Sequence, residues 1–76
     1  MSKFSKVLNL DEATRVDVAS STVTYVGKAI PGTLPANTGW KISRLTSDAS
    51  GNLTIEFAGN GDYLFIWDNR ASLTYS

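Results

Sequence analysis

The sequence predicts an all-β fold, a small antiparallel sandwich or open barrel of about five to six strands behind an N-terminal arm or short helix. Three observations carry that expectation. Leu53, Ile55 and Phe57 alternate strictly with Thr54 and Glu56, the period of a strand with one buried face. Thr22, Val23, Thr24 and Val26 crowd β-branched side chains around Tyr25, a composition suited to a pleated surface and costly in a helix. Turn-forming clusters, Asp48-Ala49-Ser50-Gly51-Asn52 and Asn60-Gly61, fall at hairpin spacing. The chain has 76 residues, 42% of them hydrophobic, which gives one domain with a modest core. A domain of that size buries only about 60% of its unfolded surface.

Residues 1–13 read as an N-terminal arm and residues 14–76 as a single β-domain. In the arm, Phe4, Val7, Leu8 and Asp11 stand at helical spacing, while the Ser and Asn residues around them favour an extended segment, so both forms are kept. From Thr14 the chain alternates, with Val16 and Val18 expected to face the core and Arg15 and Asp17 the solvent. Ser20-Ser21 breaks this strand. Thr22 to Ile30 forms the next one, in which Gly27 marks either a bulge or a close packing contact. Pro31-Gly32-Thr33-Leu34-Pro35-Ala36-Asn37-Thr38-Gly39 is the longest stretch kept out of regular structure, which makes Pro31, Leu34, Pro35 and Asn37 a candidate ligand loop.

Trp40 and Ile42 then begin a strand, and Leu45, out of step with them, predicts a twist or bulge near Arg44. Asp48 to Asn52 turns the chain into the Leu53–Phe57 strand. Asn60-Gly61 predicts a tight hairpin that returns antiparallel to it through Tyr63-Leu64-Phe65-Ile66-Trp67. Tyr63, Phe65 and Trp67 on one face and Leu64 and Ile66 on the other leave that strand without a polar side, so it calls for cover on both. Asp68-Asn69-Arg70 breaks the run, and Ala71 to Ser76 can add a last edge strand. The aromatics Trp40, Phe57, Phe65 and Trp67 are in phase with aliphatic strand residues and read as core, leaving Tyr25 and Tyr75 freer.

Charge and composition narrow the chemistry. Seven Lys plus Arg balance seven Asp plus Glu, so no net field gathers phosphates or acidic lipids, and neither nucleic acid nor membrane is an expected partner. The chain holds no Cys and no His, which removes disulfides, thiolate nucleophiles, the usual general base and the usual metal ligand. Asp48, Ser50 and Asn52 share the spacing of a calcium loop, yet with one carboxylate among three they fit an Asx turn better. Gly59-Asn60-Gly61-Asp62 lacks the helix and Lys-Ser/Thr that a phosphate cradle requires. The carboxylate pairs Glu56 with Asp62 and Asp62 with Asp68 have no pocket walls to tune them for glycoside hydrolysis. Asn52-Leu53-Thr54 matches a glycosylation sequon, but residues 1–10 hold no apolar stretch of signal-peptide length, and the expectation is a turn and a strand start. No catalytic, cofactor-binding or metal-binding residues are assigned, and the expectation is a protein that is not an enzyme.

Thr24-Tyr25-Val26-Gly27-Lys28-Ala29, then Trp40-Lys41-Ile42-Ser43-Arg44-Leu45, then Phe57-Ala58-Gly59-Asn60-Gly61-Asp62, and the ending Trp67-Asp68-Asn69-Arg70-Ala71-Ser72-Leu73-Thr74-Tyr75 occur in this order. Together they resemble a group of small tailed-bacteriophage virion proteins, with the terminal nonapeptide the most specific part. The resemblance runs from Val23 to Ser76. It departs at Leu64-Phe65-Ile66, where relatives often carry Asp or Asn ahead of the terminal Trp. It implies a structural component of a phage particle, assembled in the host cytoplasm and resident in the virion, and it brings no catalytic residues.

The two readings meet in one expectation: a multi-copy capsid decoration or accessory assembly protein, with a tail or fibre-junction protein, or a host-glycan or receptor-binding module, as alternatives. Its partners would be other virion structural proteins and copies of itself. The doubly apolar strand, the tail and the arm supply the candidate interface: Leu64, Ile66, Trp67, Arg70, Leu73 and Tyr75, with Phe4, Val7 and Leu8. Arg70 is expected to pair with Asp68 or with a neighbouring subunit's carboxylate at the rim of that interface.

Overall fold

The computed structural model describes residues 12–76, so Phe4, Val7 and Leu8 lie outside the described residues. It contains one antiparallel sheet of five strands: β1 (Ala13–Val18), β2 (Val23–Ala29), β3 (Thr38–Ser47), β4 (Leu53–Phe57) and β5 (Phe65–Ile66). The strands β1 to β4 follow one another as a meander, and β5 pairs with the start of β3. The all-β antiparallel expectation holds. What covers the sheet is a 3-10 helix, Trp67–Ser72, with the C-terminal tail that follows it.

Each turn has a local cause. Between β1 and β2 the Ser20 hydroxyl accepts from the backbone N–H groups of Thr22 and Val23, at 3.3 and 3.1 Å, while the Ala19 and Ser20 N–H groups donate to the Val23 carbonyl. Between β3 and β4, Asp48 Oδ1 accepts from the Ser50 and Asn52 N–H groups, both at 2.9 Å, and Asp48 Oδ2 accepts from Asn52 Nδ2 at 3.2 Å. That is the Asx turn read from the sequence, completed by Gly51 at φ 88°. These bonds hold the Asp48 carboxyl below its ordinary pKa of 3.8, the Asn52 N–H being the largest cause.

The core gathers Ala29, Trp40, Ile42, Ala58, Trp67 and Tyr75, with Ala13, Tyr25, Phe65 and Leu73 packed around it. Gly27 explains how Trp67 reaches the sheet. A Cβ at Gly27 would lie 2.5 Å from Trp67 Cε3 and 3.1 Å from Trp40 Cε3, so the missing side chain is the space the two indoles occupy. Their ring centroids stand 6.0 Å apart at 43°, a tilted aromatic pair. The pairing of β1 with β2 runs without a register shift through Gly27, so it marks a close contact, not a bulge.

Four sequence expectations are corrected. Leu45 is in step with Lys41 and Ser43 on the second face of β3, whose registers with β2 and β4 are continuous there; the irregularity lies between Thr38 and Trp40, opposite β5. Asn60-Gly61 does form a turn, Gly61 N–H donating to the Ala58 carbonyl at 3.1 Å, but it does not return the chain along β4. The outer edge of β4 is taken instead by the C-terminus: Phe57 and Ser76 exchange N–H···O bonds of 3.0 and 3.1 Å, and Ala58 bridges Tyr75. Only Phe65–Ile66 of the expected Tyr63–Trp67 strand is extended, because Trp67 turns into the 3-10 helix to drop its indole onto Gly27. The fourth concerns which face of the sheet is covered, and it decides where a site can be.

Candidate functional site

Cross-strand registers sort the side chains into two faces. The covered face carries Arg15, Gly27 and Ile42 in one row and Asp17, Tyr25, Arg44 and Glu56 in the next. Among the described residues, its second row is held by ion pairs, with Arg44 Nε left buried and without a hydrogen-bond partner. Arg44 Nη2 donates to Glu56 Oε1 at 2.7 Å, and the Arg44 guanidinium lies 4.8 Å from the Tyr75 ring centre. Arg70 Nε, from the 3-10 helix, donates to Asp17 Oδ2 on β1 at 3.0 Å, while Arg70 Nη1 donates to the Trp67 carbonyl at 3.1 Å and the guanidinium lies 4.6 Å from the Trp67 ring centre. Arg15 lies 5.9 Å from the Trp40 ring centre. Planar guanidinium groups stack on rings and still offer their edges to carboxylates, so a polar row is covered by aromatic residues without an unpaired charge.

The opposite face is the apolar one. Val16, Val26, Ser43 and Phe57 form one row across all four strands, and Val18, Thr24, Leu45 and Ile55 form the next; Leu53 extends the patch beyond them opposite Ser47. Its outer strands are open, with Val16 62% exposed, Val18 70%, Leu53 59% and Ile55 55%, while in the middle Ser43 is buried and Lys41 reaches over the Phe57 ring. The expectation that Val16, Val18 and Leu53, Ile55, Phe57 point into the core is therefore overturned. The alternation correctly groups them on one side, but the C-terminal segment packs against the other, where Gly27 and Ala29 are small enough to receive Trp67. A contiguous apolar patch of this kind marks a contact surface.

Among the described residues, lysines sit only at one end of this face. Lys28 and Lys41 are opposite one another on β2 and β3, and the Lys41 ammonium lies 5.4 Å from the Phe57 ring centre and 5.7 Å from that of Tyr63. At the other end of β3 stands the Asp48 turn, held ionised by its hydrogen bonds.

The residues singled out from sequence are distributed differently. Trp67 and Tyr75 are buried in the core of their own chain, and Tyr75 stacks at 5.8 Å on Tyr25 while its hydroxyl donates to the Arg70 carbonyl at 2.7 Å. Burial pushes the Tyr75 phenol up to about 12, the neighbouring Tyr25 adding to the shift and Arg44 and Arg70 opposing it. Ile66 and Leu73 are half-buried. Arg70 pairs with Asp17, not with Asp68 or an outside carboxylate. These five therefore furnish the domain's own cover, which is why the strand needs none from outside. Among the described candidates, Leu64 alone remains well exposed, at 67%.

The candidate ligand loop is pinned from within. Trp40 Nε1 donates to the Leu34 carbonyl at 3.1 Å, Asp68 N–H donates to the Pro35 carbonyl at 3.1 Å, and Asn37 N–H donates to Leu34 at 3.0 Å. Pro31, Leu34 and Asn37 are exposed and Pro35 is half-buried. Beside the loop, Tyr63 donates its hydroxyl proton to Glu12 Oε2 at 2.6 Å, which raises the Tyr63 pKa above 10.0. Tyr25 and Arg44 pack against Tyr75 instead, and Lys41 reaches the Tyr63 ring at 5.7 Å. Among the described residues no three His, Cys, Asp or Glu side chains are grouped to hold a metal ion.

The open face of β1 to β4 was missed because period-two alternation is the same whichever side is buried. The signal that was available is the row Asp17, Tyr25, Arg44 and Glu56, whose alternating charges and ring imply pairing under a cover. No family model, curated protein or solved structure matches this chain.

Proposed function

We propose that the chain is a non-enzymatic structural component of a tailed-phage particle, present in many copies as a capsid decoration or accessory assembly protein. The observation that carries this reading is the uncovered apolar face of β1 to β4, with Val16, Val18, Leu53 and Ile55 each more than half exposed. An enzyme invests its sequence in a walled cleft with tuned titratable groups. Here the charges of the covered face are spent on pairing β3 with β4 and on holding the 3-10 helix to β1, and the exposed apolar surface is one that buries best against another protein. The resemblance of Val23 to Ser76 to small virion proteins supplies the kind of assembly. Attachment through a sheet face suits a repeating lattice, in which each weak contact is made many times.

The test is incorporation. Particles assembled with Ile55→Asp in place of the natural chain should carry it at strongly reduced copy number, measured by quantitative mass spectrometry of purified particles, while Asn69→Asp on the exposed 3-10 helix leaves the copy number unchanged. Full occupancy by Ile55→Asp would refute the reading.

A further inference from the structure

We infer that the open face of β1 to β4 is a two-fold interface with a second copy of this chain, packed with the strands of the two sheets antiparallel. The inference deepens the proposed function by naming the occupant of the same face, and it rests on that face being a contact surface.

Area comes first. Val16, Val18, Leu53, Ile55 and Phe57 stay 62, 70, 59, 55 and 36% exposed, and at about 100 Å² for each such side chain they offer on the order of 500 Å² per copy. Two copies bury about 1,000 Å² in total, the size of a weak, concentration-dependent interface. A two-sheet sandwich about 10 Å thick is also the ordinary way for a one-sided apolar sheet to bury itself. The second layer that the sequence leads one to expect within the chain is then contributed by its twin. With a net charge of zero, no long-range repulsion opposes the meeting of two copies.

Charge placement selects the orientation. With the strands of the two sheets aligned, two face-to-face arrangements have two-fold symmetry, one with the axis along the strands and one with it across them. In the one with strands parallel, Lys28 and Lys41 of both copies share one end of the sandwich, and four ammonium groups crowd together. In the antiparallel one each strand lies over its own symmetry mate. The Val16 row then faces the Val18 row, Phe57 faces Ile55, and Lys41 lies over Ser47 at the end of β3 that leads into Asp48. The end of the sandwich that holds Lys41 then also holds the Asp48 turn of the other copy, and the ammonium groups are shared between the two ends.

The experiment is sedimentation equilibrium of the full chain from about 1 to 500 µM, with near-UV circular dichroism to show that each variant keeps its aromatic packing. The wild type is expected to show a monomer–dimer equilibrium that weakens with salt. Ile55→Asp, counted twice by the symmetry, should raise the dissociation constant more than about a hundred-fold, and Lys41→Glu about ten-fold. A nitroxide on Ser47→Cys, the only cysteine in such a chain, should report a separation beyond about 20 Å in the dimer, whereas the parallel arrangement holds the two labels near 10 Å. A wild type that stays monomeric over the whole range overturns the inference, as does a dimer indifferent to Ile55→Asp; a short label separation overturns the orientation. If the wild type is monomeric while Ile55→Asp still fails to enter particles, the face belongs to a different virion protein and only the proposed function survives. If the chain dimerises through this face but Ile55→Asp enters particles at full occupancy, the inference stands without the particle reading.

Discussion

Replacing Gly27 by Ala adds one methyl group at the point where the two indoles meet the sheet. The new Cβ would stand 2.5 Å from Trp67 Cε3 and 2.7 Å from Trp67 Cζ3, against an optimal carbon–carbon separation of about 3.5–4.0 Å. The Trp67 ring would have to retreat by about 1 Å. It has little room, because Trp40 stacks on it at 6.0 Å and the Arg70 guanidinium lies 4.6 Å from its centre. Overpacking of a well-filled core costs about 1–3 kcal/mol. The relief of removing a glycine from a strand returns about 0.5–1 kcal/mol, which leaves a net loss of about 2 kcal/mol for an unyielding site. In a domain of this size the melting temperature should fall by about 8–16 °C. Thermal unfolding followed by tryptophan fluorescence reads the effect, and a double-mutant cycle assigns its cause. With Trp67→Phe, whose smaller ring does not extend to the clashing atoms, Gly27→Ala should cost close to nothing, a coupling of about 2 kcal/mol. A Gly27→Ala chain as stable as the wild type, or a cycle that is simply additive, would refute the packing of Trp67 on the sheet.

Other outcomes follow from the covered face and the turns. Arg70→Lys should destabilise by about 1–2 kcal/mol, because lysine keeps the charge but loses the planar group stacked on Trp67 and the fixed edge that serves both Asp17 and the Trp67 carbonyl; chemical denaturation measures it, and equal stability would contradict the assignment. Stability should decline in alkali: the folded-state pKa of Tyr75 is raised to about 12 from 10.0, so its contribution is complete below pH 10 and is lost as the pH rises through about 12. Absorbance titration of Tyr75→Phe against the wild type isolates that phenol. Asp48→Ala should lower the melting temperature at neutral pH and less so in acid, because the folded-state pKa is depressed and the stability it brings is present above 3.8 and lost as pH falls through the lower folded value.

Much of the fold is legible in the sequence. The Asp48 to Asn52 turn, the Ser20 turn and the extents of β2 and β4 follow from local chemistry that needs no knowledge of the rest of the chain. Gly27 is readable as a special position, though its partner is not, since Trp67 stands far along the chain. The exposed face escapes for a related reason. Val16 and Val18, or Leu53 and Ile55, declare that they belong together, but whether a face is inside depends on where the last ten residues lie down. Trp67 and Tyr75, both among the expected interface residues, complete the core against Gly27 and Tyr25 on the side away from the aliphatic rows of β1 to β4, which stay open.

That the open face is a contact surface is tested most directly by chemical protection. The sequence contains no cysteine, so Ile55→Cys and Asn69→Cys each place a single thiol on an otherwise unreactive chain. Maleimide labelling of the dilute chain should modify both at similar rates, and in the concentrated chain or the assembled particle the thiol at position 55 should slow by more than about ten-fold while that at position 69 does not. Equal rates at the two positions at every concentration and in the particle would contradict the account.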